Sequence, residues 1–463
     1  MTVEAAPPGL DALRGQVIRP DDLDYDSTRA VFNGMVDKRP ALIVRPAGSA
    51  DVVDAVKYAR QQGLPVAVRC GGHSVAGKSA TDGGVLIDLR SLKGVHVDPD
   101  TRTAYCNAGV LWGEYDRETQ AFGLATPGGR MTTTGVGGFA LGGGYGWLSP
   151  VYGLTCDNLL SVDVVTADGR IVTASEDINP ELFWGLRGGG GNFGVVTSYR
   201  FRLHPVGPIV RAGMLIYAAD QAESVLQAYR DYVATAPEEL STAFSMLLAP
   251  PEPFVPPELV GKPVLGILVM YVGDTDEGVE AVRPLTEIDG LLMNLVEPMP
   301  YTAFQAIIDG FAPEGWLNYW RGLHLTGLDD TAIDAYAAAG RQVPSAMCQF
   351  VVFHTGGAVS RVPDDAMAAS HREAAFMAHP IAQWQDPADT ERHREWVETC
   401  TAAMAPHLTG GIYLNFEPED DEGRVRAGYG ADKYDRLVRI KDAWDPDNLF
   451  RENLNIKPSR GRA

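Results

Sequence analysis

The sequence predicts an α+β protein in three parts: a mixed strand and helix unit over residues 1–207, a second unit over 208–410 with one antiparallel sheet covered by helices on one face, and a segment over 411–463 that returns to the first unit. Three observations predict it. Short apolar strands alternate with amphipathic helices and glycine-rich loops in the first unit. Near Leu203-His204-Pro205-Val206-Gly207-Pro208 the glycine density falls and longer strand candidates begin. The last fifty or so residues are too few to form a core of their own. With 463 residues the chain exceeds the size at which one core usually divides.

In the first unit, Ala41-Leu42-Ile43-Val44 is a strand. A helix follows, with Ser49 as N-cap, Val52, Val53, Val56 and Ala59 on one face and Gly63 as its stop. Val66-Ala67-Val68 and Val85 to Leu89 are further strands, and Val162–Val165 with Ile171–Thr173 form a hairpin around Asp168-Gly169. In the second unit, Met214–Tyr217, Val264–Val272, Leu291–Val296 and Gln349–Phe353 are strands, alternating with helices at Gln221–Tyr232 and Asp330–Ala339. That alternation predicts helices over one face of an antiparallel sheet. Pro250 to Pro257 reads as a loop inside this unit, because strand patterns flank it closely. In the last segment Tyr434, Leu437, Ile440 and Lys441 share a helix ended by Asp445-Pro446.

Composition narrows the function. A net charge of −21, with no basic run, argues against nucleic acid as a partner. Five scattered cysteines, without a C-x-x-C pair or histidines at zinc spacing, support neither a disulfide framework nor a zinc site. The acidic run Glu419-Asp420-Asp421-Glu422 lacks the spacing of a calcium loop and reads as a solvated loop. The start, with Glu4, Ala5, Pro7 and Pro8, lacks a basic segment followed by an apolar run. No stretch approaches the about 20 apolar residues of a membrane span. A cytoplasmic protein without membrane partners is expected.

The loop Arg69-Cys70-Gly71-Gly72-His73-Ser74-Val75-Ala76-Gly77 follows a strand, and its glycines let backbone N–H groups approach a pyrophosphate. It lacks the G-x-G-x-x-G of a Rossmann turn, and Gly77-Lys78-Ser79 lacks the earlier glycine of a Walker loop. Three more glycine-rich segments occur: Thr126-Pro127-Gly128-Gly129, Gly135 through Gly146, and Gly188–Gly191 before Asn192-Phe193-Gly194. Each alone reads equally as a tight turn; four together point to a large, flat ligand.

Six motifs then carry a resemblance to a known family: Arg69-x-Gly-Gly-His73-Ser, Gly142-Gly-Gly-Tyr-Gly146-Trp147-Leu148, Tyr152-Gly153-Leu154-Thr-x-Asp157-Asn158, Leu182-Phe-Trp184-Gly-Leu-Arg187-Gly-Gly-Gly, Asn192-Phe193-Gly194-Val195-Val196-Thr197 and Asp445-Pro446-x-Asn448-x-Phe450. On them the chain resembles the FAD-binding oxidoreductases of the vanillyl alcohol oxidase and PCMH group, within it the berberine-bridge-enzyme-like branch and the bacterial hydroxynicotine oxidases. The resemblance spans residues 36–207 and returns at Tyr413–Ile456. It implies a PCMH-type two-subdomain FAD-binding domain beside the substrate domain. The implied cofactor contacts are Arg69, Gly71, Gly72, His73, Ser74, Gly77, Thr126, Gly128, Gly135, Gly138, Gly143, Gly146, Trp147, Asn158, Gly194, Val196, Tyr413 and Asn415.

The resemblance further implies a covalent bond from His73 to the flavin's 8α carbon, consistent with the nucleophilicity of a neutral imidazole. A second, cysteinyl bond seen in some members would start from the position of Met131, so a single bond is expected. Cys156 lies outside that position and reads as a buried structural thiol. Tyr413-Leu414-Asn415 matches a Tyr-x-Asn segment that meets the flavin. On an extended chain Tyr413 and Asn415 share a side, so Tyr413 is either a base whose pKa a neighbouring cation lowers or a stacking and hydrogen-bonding group. Gln349, Val351 and Phe353 alternate where relatives present a charged substrate residue, so no charged base is evident there. Asn318-Tyr319-Trp320-Arg321 reads either as pocket lining or as core. The implied activity is oxidation of an alcohol, hemiacetal, phenolic or amine by an FAD oxidase that passes electrons to dioxygen. A dehydrogenase with another acceptor and a non-catalytic flavin-binding protein are the alternatives; a monomer or a homodimer is expected.

Overall fold

Runs of Val, Ile and Leu buried on both sides build the first sheet. It contains β1 (Gln16–Ile18), β2 (Leu42–Arg45), β3 (Val66–Arg69) and β4 (Val85–Asp88) in the order β1-β2-β4-β3. The last three strands run parallel, as their near-continuous apolar character requires. The computed structural model describes residues 9–10, 12–253, 255–418 and 422–461, so the readings on Glu4 to Pro8 and on Glu419 to Asp421 lie outside the described residues.

Between β2 and β3, helix Ser49–Gln62 buries Val52, Ala55, Val56 and Ala59. Ser49 is not its N-cap. Gly48 holds that position, and the Ser49 hydroxyl turns to Thr197 Oγ1 at 3.1 Å, while the Asp51 carboxylate accepts the Ala47 N–H at 2.7 Å. Gly63 does close the helix, at φ +66. No atom stands where its side chain would begin, so only backbone strain opposes a substitution. Gly63→Ala is expected to lower the urea-unfolding free energy by about 1 kcal/mol.

The second small sheet is antiparallel throughout: β5 (Val95–Asp98), β6 (Thr103–Asn107), β7 (Leu159–Val165), β8 (Ile171–Ser175) and β9 (Val195–Arg202), in the order β5-β6-β9-β7-β8. The Asp168-Gly169 turn joins β7 to β8, with Gly169 at φ +77.

The large sheet has ten strands: β10 (Ile209–Ala218), β11 (Leu240–Leu248), β12 (Pro263–Tyr271), β13 (Leu291–Asn294), β14 (Glu297–Pro300), β15 (Leu317–Trp320), β16 (Leu323–Leu325), β17 (Gln349–His354), β18 (Phe376–Trp384) and β19 (Leu408–Ile412). Its central order is β13-β10-β12-β11-β17-β18-β16-β19. Residues 250–253 and 255–257 lie in the connection between the antiparallel neighbours β11 and β12, so the stretch is a loop between paired strands and not a domain linker. Leu291–Val296 is not one strand. At Gly213, φ +151, a side chain would strike the Leu295 carbonyl oxygen; the partner chain stays close there, the Leu295 N–H donating to the Met214 carbonyl at 2.9 Å, but its ladder is interrupted and it divides into β13 and β14.

Helices Ala222–Val233, Thr275–Thr286, Asp330–Gly340 and Thr390–Met404 cover one face of this sheet and share its core. The chain then crosses back. Helix Ala431–Trp444 ties to helix Pro180–Leu186 through Arg436 and Glu181. Its buried Lys441 Nζ reaches Asp445 at 2.6 Å and the Asn192 carbonyl at 2.8 Å. Among the described residues, no helix is long and apolar enough to cross a membrane.

Candidate active site

Because side chains alternate along a strand, the large sheet has two different faces. Phe244, Met246, Phe350, Val352, Ala378 and Ala382 point into the helix-covered core. Their alternates, Ala243, Ser245 and Leu247 of β11, Gln349, Val351 and Phe353 of β17, and His379, Ile381 and Gln383 of β18, line a cavity of about 380 Å³. The opposite wall is largely backbone: Gly71 and Gly72, Gly135, Gly137 and Gly138, Gly189 to Gly191, and Gly194. This volume is within the ordinary range for an organic ligand.

Ten of the residues expected to hold the cofactor line this cavity: Gly71, Gly72, His73, Ser74, Gly135, Gly138, Trp147, Gly194, Val196 and Asn415. The other eight stand behind it. Gly128 and Gly146 lack side chains because their backbones touch, and a Cβ on Gly128 would also meet Trp112 at 2.6 Å. Gly77, φ +67, turns against Val36, and Gly143, φ +103, turns against Ala369 and Leu154. Thr126 donates to the Arg202 carbonyl at 2.7 Å. The Asn158 amide donates to the Tyr152 and Leu154 carbonyls, both at 2.9 Å, and its oxygen meets His204 Nε2 at 2.6 Å.

Arg69 supports the loop from below. Its guanidinium pairs with Asp88 at 2.7 Å and donates to the Ala30 carbonyl, with both ionic groups buried. Burial alone would raise the Asp88 pKa, but hydrogen bonds from Arg90 and the charge of Arg69 hold it down at about 2. A depressed carboxylate stabilises the fold above its ordinary range near 4, and that contribution is lost as pH falls from about 4 through 2. Asp88→Ala strands Arg69 in the interior, and is expected to cost about 3 kcal/mol in urea unfolding.

The eighth is Tyr413. Its hydroxyl accepts the Tyr145 N–H at 2.9 Å and the Asn415 amide at 3.1 Å, and the ring is buried behind the cavity wall. Leu414–Phe416 is a 3-10 turn rather than extended chain, so the two side chains meet through the turn. Burial pushes the phenol up to about 12; hydrogen bonds from Asn415 and Tyr145 and the nearby charge of Arg130 offset only part of this. In this structure Tyr413 makes hydrogen bonds behind the cavity wall, the arrangement that the second of its two expected roles would need. The aromatic residue of this turn that reaches the cavity is Phe416.

His73 lines the cavity. Its ring stacks on Phe32 at 4.1 Å, its Nε2 meets the Thr133 hydroxyl at 3.0 Å, and burial lowers its pKa to about 4. The imidazole is therefore neutral near pH 7, with Nε2 occupied. Met131 lines the cavity nearby. Cys156 is buried against Met367, and burial pushes its thiol up. Of Asn318 to Arg321, Trp320 lines the cavity, Asn318 joins Asn33, and Tyr319 and Arg321 bond Glu398 on the helix side.

Sequence reasoning missed two residues. Arg130 directly follows the Thr126–Gly129 segment, and His379 shares the strand alternation of Ile381 and Gln383; both line the cavity and both are buried. His379 stacks on Phe416 at 3.8 Å, and neither ring nitrogen has a hydrogen-bond partner. Burial and then the charge of Arg130 drive its pKa well below 6.5. An uncharged imidazole with both nitrogens open is able to accept a proton from a bound molecule.

An FAD-sized ligand suits the glycine wall. Gly138 borders the cavity with no protein atom near the position of a Cβ, so a side chain there would occupy ligand space. Comparison with known proteins agrees. Residues 40–175 match the FAD binding domain family and residues 412–457 the berberine and berberine-like family. An FAD-linked oxidoreductase of Dictyostelium discoideum is 30% identical over 97% of this chain and 96% of its own length. The (R)-6-hydroxynicotine oxidase of Paenarthrobacter nicotinovorans is 30% identical over 96% of this chain and 97% of its own. The crystal structure of 6-hydroxy-D-nicotine oxidase from Arthrobacter nicotinovorans superposes with a TM-score of 0.87 at 27% identity, covering 99% of this chain and 100% of that one.

Proposed function

Since the chain belongs to the berberine-bridge-enzyme-like FAD-linked oxidoreductases, we propose that it is an oxidase, joined to FAD through His73, that oxidises a CH–OH or CH–NH group of a small organic substrate. The observation that carries this reading is the single cavity shared by His73, the glycine backbones and the polar groups of the large sheet. The FAD unit would combine residues 1–207 with 411–463, and the substrate unit would be 208–410.

When bound, FAD supplies the two-electron acceptor for the hydride leaving the substrate carbon, and dioxygen takes up those electrons to give hydrogen peroxide. The chain's own residues do the rest. The glycine backbones at Gly71, Gly72 and Gly138 would receive the pyrophosphate, and Asn415 would help to hold the ring system. Thr133 engages Nε2 of His73, which leaves Nδ1 as the linking nitrogen. Such a bond would replace one N–H and one C–H, with dioxygen accepting the two electrons released. Met131 offers no thiol, so one bond forms. His379 takes the heteroatom proton as hydride departs.

Testing this requires purified holoprotein, a panel of alcohols and amines that includes both 6-hydroxynicotine enantiomers, and paired dioxygen and peroxide electrodes. The expected result is substrate-dependent bleaching of the flavin, with one peroxide released per dioxygen consumed. Bleaching without dioxygen uptake would make the protein a dehydrogenase with another acceptor. A flavin that neither substrate nor dithionite bleaches would make it a non-catalytic binder.

A further inference from the structure

Arg130 is anomalous for a buried cation. Removing a guanidinium from water is expensive unless a carboxylate compensates it. Among the described residues every other buried arginine or lysine has such a partner: Arg69 with Asp88, Arg321 with Glu398, Arg372 with Asp157, Lys433 with Asp364 and Lys441 with Asp445. Arg130 has none. It is 8% exposed and packed among three rings, with its central carbon 3.7 Å from the Phe353 centroid, 4.6 Å from Tyr145 and 4.8 Å from Trp147.

Those ring faces attract the charge, and the Tyr145 side chain also hydrogen-bonds to the guanidinium, but its other edge is free. Nε and Nη2 of Arg130 are left without hydrogen-bond partners. They are the adjacent pair of donors on one edge of the guanidinium, spaced to meet the two oxygens of a carboxylate in parallel. The group lies on Phe353, a residue of the sheet wall that also carries Ser245, Gln349 and His379. Its complement is therefore expected on the substrate side, across from the glycine backbones.

Resting on the flavoenzyme reading above, we propose that the substrate is a small carboxylate with an aromatic or otherwise apolar body, bound through its two oxygens to Nε and Nη2 of Arg130. The body fits among Trp320, Phe353 and Phe416, which surround His379. Seating an anion on Arg130 also cancels the charge that disfavours protonation of His379. The imidazole becomes more basic when substrate arrives, so binding and proton acceptance are coupled.

The test is calorimetric titration of the holoenzyme with benzoate, phenylacetate and 3-phenylpropionate, each beside its uncharged amide, with FAD content read from the visible spectrum. At least one acid is expected to bind 10-fold or more tightly than its amide, and Arg130→Met to weaken that acid roughly 10- to 100-fold. Arg130→Lys, which keeps the charge but loses the fork, is expected to fall between. Arg130→Met removes an unpaired buried charge, so the free protein should melt no lower than wild type. If every acid binds no better than its amide, or if Arg130→Met binds the acids unchanged, the proposal fails. An altered flavin midpoint potential with unchanged acid affinity assigns Arg130 to the cofactor and also overturns it. Absence of flavin from the wild-type protein would instead defeat the flavoenzyme reading, while the calorimetry still reports on Arg130.

Discussion

His379→Gln is expected to slow substrate-dependent bleaching of the flavin by about 10²- to 10⁴-fold, the usual contribution of a positioned proton acceptor. The flavin should remain attached, because His379 belongs to the sheet wall and not to the glycine wall. Two features argue for this size of effect. His379 is buried with both ring nitrogens unpartnered, so a substrate proton has an acceptor there without breaking an existing bond. The phenol of Tyr413, the other acceptor suggested by sequence, is pushed up to about 12 and stands behind the wall. Since His379 titrates well below 6.5, kcat/KM should stay level from pH 8 down past 6.5 before its acid limb begins. Stopped-flow reduction across that range would measure both effects. An unchanged rate in His379→Gln, with only a lowered melting temperature, would reduce the residue to a packing role. Tyr413→Phe makes the complementary comparison and should leave the proton step intact.

The second large effect is all or none. After acid denaturation and filtration, wild-type protein is expected to keep its yellow colour and an intact mass increased by one FAD, whereas His73→Ala should lose both. The imidazole is held by the Phe32 stack and the Thr133 contact, and burial keeps it unprotonated with a pKa of about 4, as a nucleophile would need. Thr133→Ala frees Nε2 and is expected to slow flavin attachment without abolishing it. Colour washing out of wild type as well as His73→Ala would remove the covalent bond from the account while leaving the binding site in place.

Much of this protein was legible in local pattern. The helix over Ser49–Gln62 and its Gly63 stop, the hairpin around Asp168-Gly169 and strand β17 each follow from periodicity and turn chemistry within a few residues. The glycine loops pointed to a large, flat ligand for the same reason: close approach demands backbone without side chains, and that demand is written as composition, whereas FAD and the role of His73 came from the resemblance. Which glycines face the ligand was decided elsewhere. Gly128 and Gly146 meet each other across eighteen residues of chain, and Arg69 turns under its own loop to Asp88. The two readings open for Tyr413 could not be separated by alternation, because a 3-10 turn, not an extended chain, sets which of its neighbours reaches the cavity. Arg130 and His379 are ordinary residues in sequence. They become a site only when β17 and β18 pair beneath the Thr126–Gly129 segment, because the burial and loss of hydrogen-bond partners that give them chemistry come from residues distant along the chain.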